Sequence, residues 1–524
     1  QLANIIENLN TNHGVYLYSN SNNNTLTNIT ANSNSGTGTS GIYLYSSSNN
    51  NIQNNIANSN YHGIYLDSSL NNILIGNNVN NNTNNGIRLS SSSSNNNIQN
   101  NIANSNNYGI NLFLGSNNNT LFNNTANNNT YYGIYLDNSP KNLILNNYMK
   151  ENSNFDISIV SISDCNNIIE NNTGSGDKPI KFFNSSVNLQ NEILSELILC
   201  NVYNSQLNNL TITGSETLKN NGLYVRNTKN SNFTNINSSG NNYGIYLYSS
   251  SNNTLIGNTV NSNIEGVRLS SSSNNTLISI NANSNVYGGI VLSSSSNNTL
   301  TSITANSNVN YGIYLTSSSN NLLMNLTANN NPYYHGVYLS SSSNNTLTNI
   351  IANSNGYGGG GGRGNGIYLY SSSNNNQLIN IIASLNNNSG IYISSSSNNT
   401  IQSSTFNSNK YGIYFSSSSN NKIYHNNIVN NSVQTNIDNY TNFWNSSNEG
   451  NYWSNYDSPL EGCNDLDGNG ICDNPYIINA NNSDYFPFTS QNGWLNIIKI
   501  SNIPLQQNWN LISIPLILQN NSIE

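Results

Sequence analysis

The residues best spaced for chemistry stand near the C-terminal end, in Asp465-Leu-Asp467-Gly-Asn469-Gly470-Ile471-Cys-Asp473. Side-chain oxygens from Asp465, Asp467, Asn469 and Asp473, the Ile471 carbonyl between them and a glycine at the sharp turn suit a calcium loop. A bidentate acid at the twelfth position is missing: Tyr476 stands there, and Asp457 or Asp484 would have to complete the shell. The metal expected is a structural Ca2+. Cys463 and Cys472 bracket the same loop and Cys165 and Cys200 lie further upstream, and an even cysteine count in a chain of secreted character favours these two disulfides.

Acid–base catalysis finds less support. Paired-carboxylate mechanisms place two acids roughly 5–9.5 Å apart. Asp67 and Asp137 share a position in the repeat described below but stand three repeats apart, roughly 14 Å at the spacing of parallel strands. The one charge-rich stretch holds Asp156, Asp164, Glu170, Asp177, Lys178 and Lys181. No catalytic site is expected.

Tyrosine is the other abundant functional group, at 34 residues. Tyr16, Tyr43, Tyr65, Tyr135, Tyr246, Tyr314, Tyr338, Tyr368, Tyr392 and Tyr414 recur at one repeat position, with Arg88 and Arg268 interrupting the column. Such a stripe predicts a cross-strand aromatic ladder first, and next a surface for self-assembly or glycan stacking. His13, His62 and His335 precede the repeat glycine where tyrosines also stand, and are expected to replace an aromatic in that stack. Asn23, Asn28, Asn118, Asn252, Asn274, Asn297 and Asn344 open Asn-X-Thr sequons, candidates for N-glycosylation.

The elements that must position these groups come from one repeated sentence, such as Gly41-Ile-Tyr-Leu-Tyr-Ser-Ser-Ser-Asn-Asn-Asn-Ile-Gln-Asn-Asn-Ile-Ala-Asn-Ser-Asn60, at a step of about 22–24 residues. A unit this short buries its apolar face only by stacking on its neighbours. Asn, Ser, Gly and Thr exclude helical repeats. Ile42 and Leu44 share one strand face and Tyr43 and Tyr45 the other. Three short strands and three polar bends predict one rung of an all-β, right-handed, three-sheet parallel β-helix solenoid. About eighteen rungs make a rod of roughly 85 Å.

The pattern resembles the carbohydrate-binding and sugar-hydrolase type of β-helix, and within it the NosD-like repeats of archaeal surface proteins, over about residues 1–490. The calcium loop likewise resembles the first nine residues of an EF-hand or dockerin loop. The β-helix resemblance implies the fold; the scaffold carries lyases, hydrolases, adhesins and structural proteins alike. NosD relatives are described as copper-binding, but four dispersed histidines and two methionines do not suggest a copper site here.

The β-helix is expected over residues 1–430, with irregular rungs at 156–221 that keep apolar alternation and a protruding glycine-rich loop at 356–365. Residues 431–490 are expected to form a cap built on Trp444, Tyr452, Trp453 and Tyr456, and residues 491–524 two β-sandwich-like strands that a neighbouring subunit could receive. Only 6% of residues are charged, with a net charge of −8 and no basic patch, so nucleic acid is not an expected partner. No apolar run is long enough to span a membrane. Leu2 to Leu9 matches Leu378 to Leu385, so the sequence opens in mid-rung. The expectation is a secreted structural protein, a cell-surface filament or surface-layer subunit joined head to tail to itself, with a glycan-binding adhesin and a polysaccharide lyase or glycoside hydrolase as alternatives.

Overall fold

In the computed structural model, which describes residues 1–358 and 364–495, the chain is an all-β, right-handed parallel solenoid of about 19 turns. Each regular rung begins with a strand such as Ser40–Tyr45, turns through a polar bend and continues in a short strand such as Asn51–Gln53. The third side is narrower than three full strands. For most of the length it is a single bridge per rung, as in Ile56↔Asn78↔Ile102↔Thr125. In three rungs the second strand runs on through it, at Leu322–Thr327, Thr346–Ile351 and Gln377–Ser384.

The register explains the repeat. Ile42 pairs with Ile64 and Leu44 with Leu66, so like stacks on like inside, and all four are fully buried. Burial of such side chains contributes about 1.5–3 kcal/mol each. The rung glycine is a spacing requirement: a Cβ on Gly312 would stand 2.6 Å from the Gly336 carbonyl oxygen and 2.8 Å from the Ala328 Cβ. The bends hold side-chain ladders. The Asn50 backbone N–H and side-chain Nδ2 both donate to Asn72 Oδ1, at 2.9 and 3.1 Å, and the row continues through Asn96, Asn119 and Asn142 to Asn167. The exposed corner residues, among them Asn252, Asn274 and Asn297, have φ near +56 to +59°, a left-handed conformation that Asn accepts at low cost.

Residues 156–221 differ from the expectation of irregular rungs in one continuous helix. The first pair of sheets stops at Phe155–Ile159 and Ile168–Glu170, and a second pair starts at Asn172–Thr173, which runs antiparallel to Pro179–Phe183, and at Asn188–Gln190. The cores divide there. Strand Glu196–Cys200 is buried at every residue: Leu197 and Leu199 join the second core, whereas Ile198 and Cys200 join the first. Ile198 occupies the register position of Tyr224 and Tyr246, so the outer face of the second solenoid lies against the end of the first. The two solenoids join at this break, called the elbow below, and the Cys165–Cys200 disulfide ties strand Glu196–Cys200 to the turn Ile162–Asn166.

Residues 431–490 carry several buried aromatic side chains. Trp444 and Trp453 are fully buried over the last rungs, with ring centroids 5.6 Å apart. Tyr452 packs with Val429 and Phe488, and Tyr456 lies against the main core. The second disulfide, Cys463–Cys472, closes its loop. The expected strands of residues 491–524 lie outside the described residues apart from the turn Gly493–Leu495, as do positions 359–363 of the glycine-rich loop.

Candidate functional site

Parallel in-register strands place the tyrosine column on the outer face, one ring above the next. Tyr314, Tyr338, Tyr368, Tyr392 and Tyr414 make an unbroken run, with centroids 5.0, 5.1, 4.7 and 4.5 Å apart and all four pairs stacked. Tyr16, Tyr43 and Tyr65 form a shorter run in the first solenoid. Arg88 continues it, its guanidinium 5.2 Å from the Tyr65 ring and 5.6 Å from that of Phe113. Tyr246 instead stacks obliquely on Tyr224 and Tyr243. Burial pushes the Tyr224 and Tyr243 phenols up to about 12, so they stay neutral.

The histidines sit in the same stack. His13 lies 4.8 Å from Tyr43, His62 5.2 Å from Tyr65 and His335 5.3 Å from Tyr338. His62 Nδ1 accepts from Asn85 Nδ2 and His335 Nδ1 from the Asn365 backbone N–H. Burial lowers both rings to about 3.

At the elbow, residues of both aromatic faces line a cleft of about 350 Å³. Tyr132 and Phe155 of the first solenoid line it, together with Tyr224, Arg226, Tyr243 and Tyr246 of the second. Phe155 and Tyr243 are parallel, with centroids 6.0 Å apart and planes within 11°. The Arg226 guanidinium lies 4.5 Å from the Tyr248 ring, and its Nη1 donates to the Tyr224 hydroxyl at 3.0 Å. Neither Phe155 nor Arg226 stands out in the sequence. The available signal was the lapse of the Gly-Ile-Tyr-Leu start between residues 156 and 221, which marks where one aromatic sheet must meet another.

The charges of that stretch are scattered. Asp156 is buried and accepts from Ser175 N–H, Asn152 Nδ2 and Asn221 Nδ2, at 2.7, 3.0 and 2.6 Å. Asp164 caps the turn Ile162–Asn166. Asp177 pairs with Lys150 and Lys181 with Glu192, while Lys178 donates to Thr213. Glu196, unremarked in the sequence, is buried beside Asp156; its Oε2 accepts from Ile157 N–H at 3.0 Å and its Oε1 has no partner. Burial and then the Asp156 charge hold the Glu196 carboxyl well above the ordinary range. These two acids face no solvent, so substrate has no path to them.

In the Asp465–Asp473 loop the acidic side chains turn inward on backbone donors. Asp465 Oδ1 and Oδ2 accept from Asn469 and Gly470 N–H, both at 3.0 Å, and Asp473 Oδ2 accepts from Leu466 N–H at 2.9 Å. Asp484 serves the cap instead: its Oδ2 accepts from Trp453 Nε1 at 2.9 Å and Asn451 N–H at 2.8 Å. Asp457 Oδ2 accepts from the Tyr452 hydroxyl. The sequon residues Asn23, Asn28, Asn118, Asn252, Asn274, Asn297 and Asn344 are all exposed at left-handed corners.

Comparison with known proteins agrees with this architecture. Residues 184–349 and 278–458 match the family described as periplasmic copper-binding protein (NosD), and residues 2–126 match the family described as right handed beta helix region. No curated protein matches the chain. Among solved structures, a periplasmic alginate epimerase is 14% identical over 75% of this chain and 77% of its own, at a TM-score of 0.38. The A-module of an Azotobacter vinelandii mannuronan C-5 epimerase is 12% identical over 76% and 89%, at 0.31. The catalytic domain of a GH87 alpha-1,3-glucanase is 15% identical over 51% and 62%, at 0.34. At these identities the likeness is one of fold alone.

Proposed function

We infer that this chain, which belongs to the NosD-like family of parallel β-helix repeat proteins, is a structural rod that works outside the cytoplasm. The observation that carries this reading is where its repeated side chains go. The Asn and Ser rows, the tyrosine column and the histidines are taken up in contacts between successive rungs, so the abundant polar chemistry holds the rod together. Two disulfides suit an oxidising compartment. Among the described residues no helix is long and apolar enough to cross a membrane.

The copper of the family description does not fit the side chains present. His62 and His335 are buried and hydrogen-bonded through Nδ1, and His425 pairs with Glu449 at 2.7 Å. All four cysteines are in disulfides, and Met149 is in the core. None of the described histidines gathers with two or more other His, Cys, Asp or Glu side chains as a copper site would need. The fold is shared with polysaccharide-active enzymes, but the acids singled out in the sequence are buried, paired or rungs apart.

Assembly into a surface filament is the finer part of the reading. Electron microscopy of the native material tests it: rods that lengthen with concentration are expected, and single rods of constant length at every concentration overturn it. Structural calcium at Asp465, Asp467, Asn469, Ile471 and Asp473 is proposed alongside. Chelation should lower the melting temperature of the cap by several degrees, and an unchanged melt with no heat of calcium binding refutes it. N-glycans at the exposed corner sequons complete the proposal, and glycopeptide mapping of native protein checks them.

A further inference from the structure

Tyr314, Tyr338, Tyr368, Tyr392 and Tyr414 pair in register from strand to strand, with Val291 before the run and Asn436 after it. Successive ring planes differ by only 7, 15, 2 and 19°. Equivalent side chains on strands roughly 4.8 Å apart set the carbons beside each hydroxyl opposite the same carbons of the next ring. All five rings are half-buried on the outer face, so an oxidant in solution reaches their edges. This is the longest such run among the described residues. The first solenoid stacks Tyr16, Tyr43 and Tyr65 before Arg88 interrupts, and Tyr224 and Tyr246 are inclined by 56°. Stacking needs no hydroxyl, since a phenylalanine ring packs as well, yet all five rings are tyrosines.

The hydroxyl is what makes the ring oxidisable. A one-electron oxidant takes an electron from the phenol, the proton leaves to water, and the spin spreads onto the carbons beside the oxygen. In an unbroken stack the electron vacancy passes from ring to ring, so two radicals made anywhere in the run meet on neighbours. We propose that this run is a site of oxidative cross-linking, in which tyrosines of successive rungs join as dityrosine and stitch the solenoid along its length. Two neighbouring phenoxyl radicals form one C–C bond between the carbons beside their oxygens. The hydrogens on those carbons then move to the oxygens, and both phenols are restored. Each link removes two hydrogen atoms, one from each tyrosine, and hydrogen peroxide acting through a haem peroxidase takes them up as two molecules of water. A link between Tyr338 and Tyr368 closes the rung that carries the glycine-rich loop. The proposal rests on the reading of the chain as a rod outside the cytoplasm only for its supply of peroxide. The chemistry lies within one chain, so its failure leaves that reading and filament assembly untouched.

Treating the dilute full chain with a haem peroxidase and hydrogen peroxide tests it. The blue fluorescence of dityrosine should appear, and peptide mapping should place links between successive members of the run. Tyr338→Phe combined with Tyr392→Phe keeps every ring but leaves no two phenols adjacent in the run. The fluorescence should then fall at least threefold, and links within the run should vanish. Tyr224→Phe, in the oblique pair, should leave the yield unchanged, and far-ultraviolet circular dichroism should show every variant folded. No dityrosine in the folded wild-type chain overturns the proposal. So do links that join only separate copies, or a double variant that cross-links as the wild type does.

Discussion

In the regular rungs a polar side chain meets its own kind one turn later; at the elbow, residues 156–221, it meets something different each time. Asn275, Asn298 and Asn321 are interchangeable members of a row, each donating its backbone N–H and Nδ2 to the next Oδ1. Asp156, Glu196, Asn221 and Ser195 form a cluster that occurs once. The difference follows from translation. A row of amides satisfies itself as long as another rung follows, but its last member needs an acceptor that has nothing to donate onward. A carboxylate fills that need. The row through Asn106, Asn129 and Asn152 ends on Asp156, and the row through Asn426 and Asn451 ends on Asp484. In these two rows a carboxylate is buried where repetition stops. Burial pushes Asp484 up to about 6, so ending a row in this way costs stability that the row's interior does not.

The comparison breaks most visibly in the middle of a row. Asn298→Leu leaves the Asn275 N–H and Nδ2 without an acceptor and should cost about 4 kcal/mol, read as a fall in the urea midpoint. Asn298→Ser should cost clearly less, because Ser231 already stands in that row. An equal loss for both substitutions would show that packing rather than the ladder governs the site. At the elbow, replacing Cys165 and Cys200 together by serine should cost about 3 kcal/mol. Limited proteolysis should then open residues 156–221 before any regular rung; cleavage elsewhere first would remove the elbow's special status.

The two regions should also answer pH in opposite directions. His62 and His335 are lowered to about 3 in the fold, against about 6.5 when unfolded. The unfolded chain therefore binds more protons between these values, and stability is lost as pH falls below 6.5. The slope is about 1.4 kcal/mol per pH unit per histidine, roughly 2 kcal/mol each by pH 5. Thermal melts of His335→Phe should show a shallower acid limb, and an unchanged limb would count against the assignment. Glu196 is raised, so its favourable contribution holds below the ordinary glutamate range and is lost as pH rises through the folded value. Glu196→Gln keeps an acceptor for Ile157 N–H without the charge. It should stabilise the protein at pH 7 by about 1 kcal/mol, with the gain fading towards pH 4. A loss at pH 7 would mean that the charge itself is needed.

Much of the fold was legible because it is periodic. The alternation in Gly41-Ile42-Tyr43-Leu44 assigned the inner and outer faces, and both cysteine pairs were read as they stand in the structure. The tyrosine column and the histidines within it followed from their place in the repeat. The third side is present but narrow, since one bridging residue suffices where the chain turns at both ends of it. The elbow was read as irregular rungs because Glu196-Leu-Ile-Leu-Cys200 shows no polar face to separate the two cores it divides. Arg226 and Phe155 were passed over for a related reason: each is ordinary in its own rung, and the cleft exists only between rungs far apart in sequence.

By itself the sequence determined everything that one turn imposes on the next: the period, the inward stack of Ile and Leu, the outward tyrosines and the Asn corners. Those are contacts between equivalent residues about 23 positions apart, and a repeated pattern states them directly. Only the tertiary structure decided where the repetition is broken and what the break encloses. The meeting of two solenoids, the carboxylates that end two of the rows and the cleft at the junction depend on non-equivalent residues brought together once, and no periodicity announces a contact of that kind.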